Sequence, residues 1–123
     1  MEKYYPGDQY VDWIGISCYP PSRRFVKTDD EMYPILRCKE LHDKFGDLKP
    51  MMISEGGYGI EEAGHRLRWV REWFDFQKVY PIFKAMIWEN HATRVIQDGG
   101  EALELYRQRV QDPYWISETY TGE

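Results

Sequence analysis

Long hydrophobic runs are missing from this sequence. The longest apolar stretches are short, such as Met51-Met52-Ile53, whereas a helix that crosses a membrane needs about 20 apolar residues, so no membrane partner is expected. Met1-Glu2-Lys3-Tyr4 lacks the apolar stretch of a signal peptide. Cysteine is scarce, with Cys18 and Cys38 alone; their number and spacing suggest neither a disulfide framework nor a zinc site, and two free thiols are expected. Basic charge is not in excess. The net charge is -5 with no block of one sign, which argues against nucleic acid as a partner. His42, His65 and His91 show no metal-binding spacing such as His-Glu-x-x-His. They read as surface or loop residues, and no metal is expected.

What is present is an alternation. Tyr10 to Ser17 is apolar and β-branched and follows the turn signal Pro6-Gly7-Asp8, which predicts a buried strand. Thr28 with Glu31 makes a capping-box pattern ahead of a helix carrying Ile35, Cys38, Leu41 and Phe45, closed by Gly46. Lys49-Pro50 introduces a second strand, Met51 to Ser54, continuously apolar as strands covered on both faces tend to be. A glycine-rich loop, Glu55-Gly56-Gly57-Tyr58-Gly59, comes next. A long helix is predicted from about Glu62 to Tyr80, with Leu67, Val70, Phe74 and Gln77 on one stripe and Trp69, Trp73, Phe76 and Tyr80 on its neighbour; Pro81 ends it. Phe83 to Trp88 reads as a third strand, and Asp98 with Glu101 opens a last helix through Leu103, Tyr106 and Val110. The order β-α-β-α-β-α predicts an α/β fold of three consecutive βα units, with parallel strands joined by right-handed crossovers. The 123 residues form a single domain in this reading, residues 1–123. They are too few for a complete (β/α)8 barrel, which needs about 250.

In parallel α/β folds ligands bind at the C-terminal ends of the strands. Cys18 and Tyr19 follow the first strand, Glu55 the second, and Trp88, Glu89, Asn90 and His91 the third. Glu55 stands out. It directly follows a buried strand, and the glycines after it let backbone and ligand approach closely; on its own it reads first as a helix cap or an exposed loop carboxylate. Tyr19, on an adjacent strand, is placed to donate a hydrogen bond to that carboxylate, which would orient it and favour its charged form. Trp88 reads either as a stacking platform for a sugar ring or as a buried residue closing the top of the sheet. Aromatics are plentiful, with five Trp and ten Tyr, which suits both packing and sugar binding.

Four segments together resemble glycoside hydrolase family 26, the β-mannanase family of clan A. Tyr5-Pro6-Gly7-Asp8-Gln9-Tyr10-Val11-Asp12-Trp13-Ile14-Gly15 resembles the approach to strand six of those barrels. Lys49-Pro50-Met51-Met52-Ile53-Ser54-Glu55 resembles strand seven, which ends in the nucleophile and is shared across the clan. Ile82 to Trp88 resembles strand eight, and Asp112-Pro113-Tyr114-Trp115 the close of the domain. The resemblance implies a partial (β/α)8 barrel, strands six to eight, from a retaining glycosidase acting on a β-linked polysaccharide or oligosaccharide without a cofactor. Glu55 would be the nucleophile, Tyr19 would orient it, and Trp88 and Tyr58 would contact the sugar. The clan's acid/base glutamate sits at the end of strand four, so this chain would lack it and be inactive alone. Pairing with the missing N-terminal part of the barrel, or self-association through open strand edges, is then expected, and in such an assembly Glu89 of one copy is a candidate acid/base facing Glu55 of another. A non-catalytic carbohydrate-binding or self-assembling half-barrel module is the second reading. A flavodoxin-like domain is a third; Gly56-Gly57-Tyr58-Gly59 lacks the G-x-G-x-x-G phosphate pattern.

Overall fold

The computed structural model describes residues 4–21, 23–25, 27–46, 48–58, 63–91, 96 and 100–115. Three strands, β1 (Ile14–Cys18), β2 (Met51–Gly56) and β3 (Phe83–Trp88), alternate with three helices, α1 (Pro34–Phe45), α2 (Ala63–Val79) and α3 (Gly100–Val110). The strands form one sheet in the order β1-β2-β3, and both pairings are parallel. The alternation of strand and helix patterns in the sequence thus gives the α/β fold expected of consecutive βα units.

The helices form one layer. Residues on α1 contact α2 and residues on α2 contact α3. Chain-sequential order with right-handed crossovers puts every helix on the same face of the sheet. Ile14, Cys18, Met51, Ile53 and Phe83 are buried from that face, and Cys38, Leu41 and Phe45 of α1 meet them. The centre of the layer is α2, which buries Trp69, Val70, Trp73, Phe74, Phe76 and Gln77. These are members of both stripes read from the sequence, because α2 lies between two other helices and above the sheet. Each such aromatic, fully buried, stabilises the fold by about 1.5–3 kcal/mol. Phe76 packs edge-on against Phe83, centroids 5.1 Å apart, tying α2 to the start of β3.

Three local expectations are corrected. The first strand starts at Ile14 rather than Tyr10, because Asp8–Tyr10 winds into a 3-10 turn; Tyr10 is left 70% exposed. Thr28 does precede a helical turn, but a short 3-10 one, Asp29–Met32, without a side-chain cap bond. Glu31 instead accepts the backbone N–H of Lys27. The helix proper starts at Pro34, in its first turn, where a missing N–H is harmless. The second strand runs two residues past Ser54, taking Glu55 and Gly56 into the sheet. Asp98 of the last capping pattern lies outside the described residues.

Cys18 and Cys38 are free and fully buried. A hydrogen bond with Cys18, together with burial, pushes the Cys38 thiol far above the usual thiol range, which keeps it in the unreactive neutral form.

Candidate active site

The other face of the sheet carries no helix among the described residues and is polar. Gly15 and Ser17 of β1, Ser54 and Glu55 of β2, and Lys84 and Ile87 of β3 are exposed. Strict strand alternation would put Glu55 on the same side as Met51 and Ile53, under the helices. A bulge prevents this. Ile16 pairs with Ile53 but Ser17 pairs with Glu55, so β2 holds one extra residue against β1. The pairing with β3 slips over the same stretch, between Ile53–Met86 and Gly56–Trp88. The extra residue returns Glu55 to the open face, which is the re-aiming that bulges near functional sites commonly perform.

Gly56 then drops back towards the helices, and only glycine fits there. A Cβ at this position would lie 2.5 Å from the Cys18 carbonyl oxygen and 2.6 Å from Trp73 Cζ3. The close approach brings the ends of all three strands together. Gly57 N–H donates to the Cys18 carbonyl (3.4 Å), and Glu89 N–H donates to the Gly56 carbonyl (2.7 Å).

Around Glu55 the side chains converge from each strand end. Ser17 Oγ donates to Glu55 Oε1 at 2.8 Å. Tyr19, two residues on, has its hydroxyl pushed up to about 12 by loss of solvent first, then by a hydrogen bond to Glu89, by the charges of Glu55 and Glu89, and by a hydrogen bond to Glu55. The structure therefore brings both Glu55 and Glu89 of the same copy to Tyr19. Asn90 Oδ1 accepts the N–H of the buried Ile96 at 2.9 Å, anchoring the chain just beyond Glu89. Ser17 was not singled out in the sequence. Its signal is its place on the adjacent strand, but a bulge is needed to set it opposite Glu55.

The two aromatic candidates stand apart from this cluster. The Trp88 ring packs edge-on against Trp73 and Tyr106, 5.3 and 5.7 Å between centroids. Of its two sequence readings, the one seen in these contacts is packing between sheet and helices. Tyr58 is 6% exposed and packs on Trp69 and His65. His65 also pairs with the Tyr33 hydroxyl at 2.6 Å, within a partly buried packing cluster rather than on a loop.

A cavity of about 550 Å³ lies elsewhere, between β3, α2 and α3, lined by aromatics including Phe74, Trp88, Tyr106 and Trp115. Neither glutamate nor Tyr19 lines it. Its polar lining is Gln77, Lys84, Tyr106 and Tyr114. Among the described residues no three His, Cys, Asp or Glu side chains gather as a metal cage, and no helix is long and apolar enough to cross a membrane.

Compared with models of known protein families, the chain matches none, and no curated protein sequence matches it. The rim itself gathers two carboxylates, a phenol and a serine hydroxyl at the C-terminal ends of three parallel strands.

Proposed function

We propose that the chain is part of a retaining glycoside hydrolase of the (β/α)8 type, most like the β-mannanase family 26, with Glu55 as nucleophile and Tyr19 as the residue that positions it. The observation that carries this reading is the bulge that turns Glu55 out of the helix side and onto the open rim, where Ser17 and Tyr19 hold it. An exposed carboxylate fixed by hydroxyl donors is suited to attack an anomeric carbon, forming a glycosyl ester that water later cleaves. The sequential strand order supports a barrel over a doubly wound sheet, because it contains no reversal at which a switch-point crevice could form. The substrate class is a β-linked polysaccharide or oligosaccharide.

The test is covalent trapping. Activated 2-deoxy-2-fluoro mannosyl, glucosyl and xylosyl donors are incubated with the chain, and the peptide containing Glu55 is weighed. An adduct in the wild type that disappears in Glu55→Gln supports the reading; no adduct with any of the three refutes it.

A second reading, a self-assembling half-barrel module, is favoured by one feature. β1 and β3 each have a strand neighbour on one side only among the described residues. Parallel edges of this kind invite head-to-tail addition of another copy. The two readings are compatible, since an assembly could also enclose the rim.

A further inference from the structure

The cavity between β3, α2 and α3 plays no part in the glycosidase reading. Its walls show why it stays open. An ion pair between Arg109 and Asp75 (2.7 Å) fastens α3 to α2, and one between Lys78 and Asp112 (2.9 Å) fastens the turn that follows α3. Tyr114 Oη donates to the backbone carbonyl of Gln77 at 3.1 Å, and the next residue, Trp115, packs edge-on against Phe74. On the sheet side Trp88 meets Tyr106 edge-on, 5.7 Å between centroids. Bulky rings at these points hold α3 off the rest of β3, and a space of about 550 Å³ remains. An apolar cavity of about 150 Å³ already takes benzene, so a flat molecule of two or three fused rings fits.

The polar groups of the lining say what that molecule carries. Gln77 is 1% exposed, and its Nε2 has no hydrogen-bond partner among the described residues. Trp115 Nε1 is also buried without a partner among them. Both nitrogens are donors, and an indole N–H can do nothing else. A buried donor left unpaired is unfavourable and calls for an acceptor. The lining also holds one charged residue, Lys84, exposed on the edge strand β3, and no Asp or Glu. Two unpaired donors beside an unopposed cation match an anion with two acceptor oxygens.

We propose that this cavity is a binding site for a flat aromatic carboxylate. Its fused rings pack among Phe74, Trp88, Tyr106 and Trp115, its oxygens accept the free N–H groups of Gln77 and Trp115, and Lys84 supplies the opposing charge. The aromatic walls give affinity for any ring system of that size. The two donors and the lysine give the preference for the acid over its neutral or cationic relatives. This site is independent of the rim and stands or falls apart from it.

The experiment titrates three probes of one shape into the full chain by calorimetry: 2-naphthoate, neutral 2-naphthamide and cationic 2-naphthylmethylammonium. The expected result is a dissociation constant below about 1 mM for 2-naphthoate, with the amide and the cation each about tenfold weaker or more. In a proton–nitrogen correlation spectrum the Trp115 indole N–H, assigned by its loss in Trp115→Phe, should move as 2-naphthoate is added. Gln77→Met, which keeps the shape of the side chain, should weaken 2-naphthoate by at least about tenfold. Three probes that bind equally would reduce the site to an apolar groove and overturn the proposal without recourse to any variant. A stationary Trp115 resonance at saturation, or Gln77→Met within about threefold of wild type, overturns the assigned contacts. Binding of 2-naphthoate that weakens as the chain self-associates overturns the proposal too, because a second copy would then be the occupant. So does a failure of 2-naphthoate to bind at about 1 mM.

Discussion

Replacing Gly56 with alanine probes the joint on which the rim is built. The added methyl carbon would sit 2.5 Å from the Cys18 carbonyl oxygen and 2.6 Å from Trp73 Cζ3, against an ordinary contact of about 3.5 Å or more. Neither neighbour can yield cheaply. The carbonyl belongs to β1 beside the central strand, and Trp73 is 1% exposed at the middle of the helix layer. Relief must come from moving β2 away from both, which also stretches the bond from Glu89 to the Gly56 carbonyl. Overpacking of a tight core typically costs about 1–3 kcal/mol, and two rigid neighbours place Gly56→Ala near the top of that range. About 3 kcal/mol is roughly a 100-fold shift towards the unfolded chain. Urea denaturation followed by tryptophan fluorescence measures it. Gly64→Ala is the control: its Cβ meets nothing within 4 Å, and in helix α2 it should gain about 0.5 kcal/mol through backbone entropy. A Gly56→Ala midpoint equal to that of wild type would refute the account of how the strand ends are held together.

Gln77 is 1% exposed, and its Nε2 has no hydrogen-bond partner among the described residues. Gln77→Met keeps the shape and removes the unpaired donor, so it should stabilise the chain by about 1 kcal/mol in the same denaturation assay; destabilisation would mean that the amide has a partner. The Tyr19 hydroxyl, raised from 10.0 to about 12, binds its proton more tightly in the folded chain than in the unfolded one. Its stabilising contribution is full below pH 10 and is lost as pH rises towards 12. In a phenolate ultraviolet titration Tyr19 should be among the late-titrating tyrosines, beside Tyr5, Tyr33 and Tyr106, whose hydroxyls are also raised, and Glu89→Gln should move part of that late phase earlier; an unchanged curve would separate Tyr19 from Glu89. Ile87, on the open face and 52% exposed, should promote association between copies, so Ile87→Lys should lower the mass seen by light scattering wherever wild type is oligomeric.

Much of this architecture was legible because it rests on periodicity. Strand β3 ends where the apolar run from Phe83 to Trp88 ends, and α2 stops ahead of Pro81. The candidate rim was legible for a topological reason: residues that follow parallel strands meet at one end of the sheet, which singled out Tyr19, Glu55 and Glu89. What escaped was facing. Tyr58 and Trp88 stand beside Glu55 and Glu89 in sequence, yet their ring contacts are with helix residues. Alternation would also have turned Glu55 the wrong way, and the extra residue in β2 is a pairing property that no single segment displays. Aromatic Tyr10 and Trp13 suggested strand by residue type, but strand structure begins only at Ile14, because a strand also needs a partner for its backbone, and Pro50, just ahead of β2, supplies one to Ile14 through its carbonyl.

The contact between Trp73 and Trp88 also has an optical side. Two indoles with centroids 5.3 Å apart and planes at 69° are near enough for their excited states to mix, and the skewed arrangement makes the mixed transitions respond unequally to left- and right-handed light. One indole sits on Gly56 and the other ends β3, so the resulting signal in circular dichroism exists only while the strand ends are assembled. The rim thus carries a built-in gauge of its own integrity, readable without label or substrate.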